Sequence, residues 1–351
     1  MGRNDNNSRR NFLKNSSIGL GAGLIQLSPA SSIARIDAAH GDLPFEINVA
    51  TIDIKDGFKD ENAEQRLNRV LRSMKNVSGL KPDIVCLPEG FTSFRISKPG
   101  TLNSMAQHRA QNDSLTSKIS AFARNNKCVV TCPVITRKEN RFFSSTMVFG
   151  DNGYIAGIYD KMHPSKKEMI ADADGNRVTP GSLSQPLIKT RFGQIGLLMG
   201  DDVYNAESWR DAAHRGAKII IYGSTFAGGR MLNYHAVANH CYIIASTSGE
   251  GRIVDISGND IDKTSEFIRY SWSKLNTERT NILTFPNRLP ELFRKYGNRL
   301  QLKAWGSTDM LTIESNDATL RVKDVLKEFG LQTYAELIAT ETRVQNEYRG
   351  K

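Results

Sequence analysis

The chain has 351 residues, of which 39% are hydrophobic and 24% are charged, and its formal net charge is +10. This length suffices for one large α/β domain with appendages, and the composition is that of a soluble globular protein rather than a fibrous or disordered one. After the first forty residues no run approaches the eighteen apolar residues that a membrane span needs. The basic charge is spread along the chain without an RRM, helix-turn-helix or zinc-finger pattern, so we expect no nucleic-acid partner and no stable membrane span.

The first 34 residues have the features of a targeting segment. Ser8–Lys14 (SRRNFLK) matches the twin-arginine export consensus, a modestly apolar stretch follows at Ile18–Ile25, and Ser32-Ile33-Ala34 fits a signal-peptidase site. We therefore predict a twin-arginine signal peptide over residues 1–34, recognised by the twin-arginine translocation machinery, and a periplasmic or secreted bacterial protein. A disordered basic tail is the alternative interpretation, and cleavage near Ala39 is a second possibility for the processing site.

From Phe45 onward, strand-like runs alternate with helical periodicity. Strands are predicted at Glu46–Ile52, Asp83–Leu87, Cys128–Thr136, Ser145–Gly150, Tyr154–Tyr159, Gln194–Met199, Lys218–Tyr222, Tyr242–Thr247 and Arg252–Ile256. Helices are predicted at Asp60–Val77, around Leu115–Ala123, at Ala206–His214 and at Met231–His240. Strands on both sides of helices indicate a mixed sheet, two layers deep, with helices outside.

The chain beyond Pro290 has a different pattern, in which an apolar stripe predicts two short helices. Its members are Val325, Leu326, Phe329, Leu331, Tyr334, Leu337 and Ile338. Short tail helices need a partner surface to be stable, so a packing or dimer-contact extension is favoured over a cofactor site. We predict three segments: the signal peptide, a main domain over residues 45–290 and a helical extension over residues 291–351.

The four cysteines, at positions 86, 128, 132 and 241, all lie in apolar strand-like runs. In an extended strand Cys128 and Cys132 would be about 13 Å apart. That separation is too large for a disulfide between them, and no cysteine pair has zinc-ligand spacing with a histidine. Buried thiols are the expected state.

Three segments place polar residues at the ends of strands, the edge at which sites form in open α/β proteins. Glu89 follows the strand Asp83–Leu87 in the sequence Leu-Pro-Glu-Gly. Lys161 ends the second strand of a hairpin in Tyr-Asp-Lys-Met-His, and Gly200 follows Gln194–Met199 in the sequence Met-Gly-Asp-Asp. Each residue alone could be a solvated rim residue, so only the ordered set is informative.

Together these segments resemble the nitrilase (carbon-nitrogen hydrolase) superfamily, over about two-thirds of the chain. Its members carry a strand ending in Pro-Glu, a Tyr-Arg/Asp-Lys-x-His segment and a Gly-x-x-Ile-Gly-x-x-Ile-Cys-x-Asp segment. Further matches are Thr179-Pro180-Gly181, Gly216-Ala217, Asn239-His240-Cys241-Tyr242 and Ile253-Val254-Asp255. The resemblance implies a four-layer α-β-β-α sandwich and dimerisation through a helical face, hence a homodimer.

The resemblance also assigns roles to individual residues. Glu89 matches the base that deprotonates the family's nucleophilic cysteine, and Lys161 matches the cation that stabilises the tetrahedral intermediate. Glu168 is the candidate for a second family glutamate that follows the lysine. Aligning Asp202 with the family aspartate puts Gly200 in the place of the cysteine, and sliding the register by one gives Met199 or Asp201, neither of them a thiol.

Because glycine has no side chain, the covalent route is closed at position 200. A second departure is Ala238, where many relatives carry a glutamate. We predict an exported, catalytically degenerate family member that binds a small amide, nitrile or carboxylate. Alternatives left open are a hydrolase that uses water or another nucleophile such as Cys132, a divalent metal held by acidic residues around Lys161, and a structural or assembly role.

The substrate cannot be read from the residues, which supply only candidate aromatic lining. The tentative ligand-binding residues are Phe91, Tyr204 and Phe226, with Phe94 and Trp209 as further aromatic candidates. No motif supports an organic cofactor, and we predict none.

Overall fold

The computed structural model describes residues 45–54, 61–91, 101–108, 114–283, 288–304 and 310–350. The predicted signal peptide and Phe94 lie outside these ranges. Within them no helix is both long enough and apolar enough to cross a membrane.

The strands follow the order of the sequence prediction, with several additions. They are β1 Glu46–Ile52, β2 Ile84–Cys86, β3 Gln107–His108, β4 Val129–Lys138, β5 Arg141–Phe149, β6 Ile155–Asp160, β7 Ile188–Thr190, β8 Gly193–Met199, β9 Ile219–Ser224, β10 Tyr242–Thr247, β11 Gly251–Val254, β12 Asp260–Lys263, β13 Tyr270–Asn276, β14 Arg279–Leu283, β15 Leu300–Ala304 and β16 Met310–Ser315.

The helices are amphipathic, and several have side-chain caps. They are α1 Ala63–Ser78, α2 Leu102–Met105, α3 Ser114–Asn126, α4 Ala206–His214, α5 Arg230–Asn239, α6 Leu289–Tyr296, α7 Val322–Glu328 and α8 Tyr334–Tyr348. Asn62 and Gln65 form a reciprocal capping box that fixes where α1 begins. The side chain of Asn205 accepts a hydrogen bond from the Ser208 N–H and caps α4. The nearby Asp202 does not cap this helix, because its carboxylate has other partners, described below.

Two mixed sheets form the middle of the fold. The first has the order β13-β1-β2-β4-β5-β6, with β3 beside β4, and the second has the order β12-β11-β10-β9-β8-β7. Strands β8, β9 and β10 run parallel at the centre of the second sheet. Their apolar runs suit a sheet that is covered on both faces.

Four layers result from the packing of these sheets. Residues of both sheets share one core cluster, which also includes Trp209 of α4 and Leu232 of α5. A second cluster packs the other face of the first sheet against α1 and α3. The order is therefore helices, sheet, sheet, helices, which confirms the predicted α-β-β-α sandwich.

The region after residue 290 differs from the prediction of a helical extension. The helices α7 and α8 are present, but β15 and β16 form a three-stranded antiparallel sheet with β14. In β16, Leu311 and Ile313 are buried in a core cluster of their own. The predicted boundary at 290 falls inside α6 and cuts β14 from its sheet partners, because a strand with only two or three alternating apolar residues gives a weak pattern.

All four cysteines lie within the described ranges; they are buried, and none forms a disulfide. Burial raises the pKa of the Cys86, Cys128 and Cys241 thiols to about 12 in each case. The expectation of buried thiols is confirmed. Cys132 packs in the cluster between the first sheet and its outer helices.

Candidate active site

The three strand ends singled out in the sequence converge where the two sheets meet. Glu89 comes from the loop after β2 and Lys161 directly follows β6, both in the first sheet, whereas Gly200 follows β8 in the second. The Lys161 Nζ lies 3.1 Å from Glu89 Oε1. The face-to-face packing of the two sheets therefore brings together residues that are distant in the sequence.

Glu168 completes the cluster from the loop after Lys161. Lys161 Nζ donates to both Glu168 carboxylate oxygens at 2.9 Å. The backbone N–H of Ser165 donates to Glu168 Oε2 at 2.7 Å, and the Ser165 hydroxyl does so at 2.8 Å. The loop thus holds the Glu168 carboxylate in place beside the ammonium.

The Glu89 carboxylate is buried and held on both oxygens. Oε1 accepts from the Ser144 hydroxyl at 3.2 Å as well as from Lys161, and Oε2 accepts from the Thr225 backbone N–H at 3.2 Å. The hydroxyl of Ser248 donates to the Glu89 carbonyl oxygen at 3.4 Å. No sequence motif pointed to Ser144 or Thr225, which reach the carboxylate only through tertiary packing.

The pKa values in this cluster depend on burial and on the Lys161 ammonium, which lies between two carboxylates. Burial raises the pKa of Glu89, and the opposing effects of Lys161 and of the hydrogen bonds only partly offset it. Burial would lower the pKa of Lys161, but the charges of Glu89 and Glu168 outweigh burial and the net shift is upward. Lys161 is therefore an ammonium at neutral pH, and Glu89 is a stronger base than an exposed glutamate.

Gly200 lies against the cluster in a conformation that suits glycine. Its φ is +48°, in the left-handed region. A Cβ added there would overlap Lys161 Nζ, and it would lie 2.7 Å from Lys161 Cε and 3.2 Å from Glu89 Oε2. The lysine and the glutamate thus occupy the space next to the glycine Cα.

Several hydrogen bonds fix the backbone turn that contains Gly200. The Tyr222 hydroxyl donates to the Gly200 carbonyl oxygen at 2.8 Å. The Asp202 carboxylate is fully buried and accepts from the Tyr159 hydroxyl and from the backbone N–H groups of Met199 and His163. Asp202 therefore acts as a structural anchor of the turn, and its burial raises its pKa.

Among the aromatic candidates in the described ranges, two stack on each other and two lie in the core. The rings of Tyr204 and Phe226 stack with centroids 6.1 Å apart and planes at 13°. Phe91 is fully buried in the cluster under α1 and α3, so the structure places it in the core rather than at the site. Trp209 is also fully buried, where its ring stacks on His235.

A separate surface depression of about 570 Å³ is lined by Gly229, Arg230, Asn233, Arg252 and Asp260. The Arg252 guanidinium already donates to the Gly229 carbonyl, to Asn233 and to Asp260. Because these polar groups are already hydrogen-bonded to one another, the depression is a weaker candidate for a functional site than the cluster around Lys161. Within the described ranges, no group of three or more His, Cys, Asp or Glu side chains is arranged to hold a metal ion.

Comparisons with known proteins agree with this architecture. The chain is 23% identical over 189 residues to deaminated glutathione amidase of Mus musculus, covering 46% of this chain and 58% of that protein, so it spans less than two-thirds of that relative. It is 23% identical over 295 residues to citrullinase of Francisella tularensis, covering 71% of this chain and 99% of that protein.

The crystal structure of Saccharomyces cerevisiae Nit3, a member of branch 10 of the nitrilase superfamily, superposes with a TM-score of 0.54 at 18% sequence identity, covering 74% of this chain and 97% of that one. This likeness concerns the fold alone. The profile of the carbon-nitrogen hydrolase family matches residues 48–271, well over half of the chain. The chain therefore belongs to the carbon-nitrogen hydrolase family.

Proposed function

We propose that this protein is an exported carbon-nitrogen hydrolase-family member that binds a small amide, nitrile or carboxylate at the Glu89–Lys161–Glu168 cluster without hydrolysing it through a covalent intermediate. The observation that carries the proposal is the geometry at Gly200, where no side chain is present and the neighbouring space is filled by Lys161 and Glu89. A thiolate is the nucleophile of the covalent route, so its absence removes the first chemical step.

Three side chains that could be considered as replacements for the thiolate, Lys161, Cys132 and Met199, are poorly suited to that role. Lys161 stays protonated between its two carboxylates and so lacks a lone pair for attack. The Cys132 thiol is buried in the core cluster between the first sheet and its outer helices. Met199 is fully buried and carries a thioether, which is a weak acceptor and not a proton donor.

A second candidate function is hydrolysis by a water molecule that Glu89 activates. The observation in its favour is the raised pKa of Glu89, which makes this carboxylate a stronger base toward a water molecule. The relatives named above include an amidase, so amides are the first substrates to test.

The deciding experiment incubates the purified protein with small amides and nitriles and follows both thermal stability and ammonia release. Under the binding proposal, an amide raises the melting temperature and is recovered unchanged, because a ligand that binds only the folded state stabilises it. The Glu89→Gln variant is the matched control. Ammonia release by the native protein that disappears in Glu89→Gln would instead establish the second candidate.

A Gly200→Cys variant tests whether the rest of the site could still support the family reaction. The new side chain must displace Lys161, and its thiol would then lie beside the Lys161 ammonium, which lowers the pKa of a neighbouring thiol. We expect the variant to be alkylated by iodoacetamide under native conditions, while the native protein, with its four cysteines buried, stays unmodified. Ammonia release by this variant, and not by the native protein, would show that only the nucleophile is missing.

Export and dimerisation form part of the same proposal. The Arg9-Arg10 pair in residues 1–34 supports export by the twin-arginine machinery, and Arg9→Lys together with Arg10→Lys should retain the precursor in the cytoplasm. Helix α8 has no buried residue in the single chain, which supports a role in self-association. Light scattering of the native protein and of a chain truncated before α8 measures that role.

A further inference from the structure

The charge of the candidate site is unbalanced. The Lys161 ammonium faces two carboxylates, at 3.1 Å from Glu89 and 2.9 Å from Glu168, so the cluster has one net negative charge when both carboxylates are ionised. Of the two, Glu168 is the more accessible, with 26% of its side chain exposed against 9% for Glu89. A carboxylate ligand would add a second negative charge at this place, whereas a cationic ligand would neutralise the first.

A pair of stacked aromatic rings, Tyr204 and Phe226, comes from the two segments that follow Gly200 and Thr225. Tyr204 comes four residues after Gly200, and Phe226 follows Thr225, whose N–H binds Glu89. Tyr204 is a large aromatic residue, yet it is 68% exposed. Phe226, which stacks on it, is half-buried. An exposed aromatic face beside a net negative charge is the combination that attracts ammonium and guanidinium groups, by cation–π and Coulomb attraction together.

We propose that the ligand of this site is an amide or nitrile that also carries a cationic group, an ammonium or a guanidinium, and that Glu168 and Tyr204 select it. This inference rests on the proposed binding function and narrows it, because it removes carboxylates from the possible ligands. The amide or nitrile end would lie by Glu89 and Gly200. The cationic end would lie toward the more exposed Glu168 and the Tyr204 ring.

The test measures the affinities of three probes of equal chain length by isothermal titration calorimetry at low and high salt. The probes are 4-aminobutanamide, which is cationic, butanamide, which is neutral, and succinamate, which is anionic. We expect 4-aminobutanamide to bind about tenfold more tightly than butanamide, and succinamate to bind most weakly. The advantage of the cationic probe should shrink in about 0.5 M salt, because exposed charges are screened.

Matched variants identify the groups responsible. Glu168→Gln should reduce the cationic-over-neutral ratio to about one, and Tyr204→Ala should reduce it by about two- to fivefold. The controls are Glu291→Gln and Tyr154→Ala, which change an exposed glutamate and an exposed tyrosine elsewhere and should leave the ratio unchanged.

The outcomes separate this inference from the function on which it rests. Equal binding of the neutral and cationic probes, or tighter binding of succinamate, would overturn the inference and leave the binding function standing. A ratio that survives Glu168→Gln would also overturn it. Failure of all three probes to bind would overturn both proposals together.

Discussion

Two clusters in this molecule have the same composition, one cation between two carboxylates, yet their charges are balanced differently. In the first, Lys161 lies between Glu89 and Glu168, and it supplies the only positive charge that the described residues bring to the cluster. In the second, Arg279 lies 3.4 Å from Asp255 and 3.0 Å from Glu314.

The second cluster has an additional cation, because Lys303 lies 3.4 Å from Glu314. It is therefore neutral. The Arg279, Asp255 and Glu314 side chains are each less than 10% exposed, where β14 and β16 join the loop after β11. The second cluster is thus neutral and closed, whereas the first has an unpaired carboxylate charge and a glycine at its side.

The largest effect that this comparison predicts is for Arg279→Met. Removing the guanidinium leaves two buried carboxylates without their shared partner, which should lower the free energy of unfolding by about 3–5 kcal/mol. Urea denaturation followed by circular dichroism measures the change. Arg299→Met is the control, since Arg299 pairs with Asp317 at the surface and its loss should cost about 0–1 kcal/mol. Equal losses in the free energy of unfolding of the two variants would show that the buried cluster contributes no more to stability than a surface ion pair does.

A smaller effect is predicted for Gly200→Ala, which tests how tightly the first cluster fills its space. The added Cβ needs a positive φ and must displace Lys161, so we expect a loss of about 1–3 kcal/mol in the free energy of unfolding.

Gly330→Ala is the matched control, because Gly330 has a φ of +62° with nothing within 4 Å of an added Cβ. Gly330→Ala therefore measures the free-energy cost of an alanine at positive φ without the steric overlap that is present at position 200. If both variants lose the same free energy of unfolding, then Lys161 moves aside at no energetic cost. The overlap at position 200 would then not limit which side chain fits there.

The last predicted effect concerns pH. Burial raises the pKa of Glu89 above its usual value of 4.5 in the folded protein, so the folded state holds this proton more tightly than the unfolded state does. The native protein should therefore lose stability relative to Glu89→Gln as the pH rises from 4.5 to the raised pKa. Each pH unit between the folded and unfolded pKa values corresponds to about 1.4 kcal/mol.

Urea denaturation of both proteins at intervals from about pH 4 to about pH 8 covers this window and measures the difference. A difference that changes in the opposite direction would mean that Lys161 stabilises the carboxylate more than burial destabilises it.

The sequence predicted the fold well where apolar periodicity was long. The helix α4 and the strand β10 lie where the pattern put them, Ala206–His214 and Tyr242–Thr247. It also predicted that Glu89, Lys161 and Gly200 each follow the end of a strand, and these strand ends come together where the two sheets meet. The position of Glu168 depended on a loop without periodicity, and only the family resemblance suggested it.

Other parts depended on contacts that no local pattern encodes. Phe91 follows a site residue by two positions, yet its side chain points into the core under α1 and α3. The hydroxyl of Ser144 and the N–H of Thr225 reach Glu89 across 55 and 136 residues of sequence. The strands β15 and β16 were missed because each is five or six residues long and lies in a region dominated by helical periodicity.

The pairing of β1 with β13 has a consequence for how the protein is made. These strands are antiparallel neighbours from Glu46↔Asn276 to Ile52↔Tyr270, so the first strand of the family domain is paired by one of the last. Contacts between such distant segments form slowly, and here they cannot form until the ribosome has released residues near 276. The first sheet is therefore completed only after nearly the whole domain has been synthesised. An export route that carries proteins already folded would have to wait for that event, so translocation of this chain would follow translation rather than accompany it.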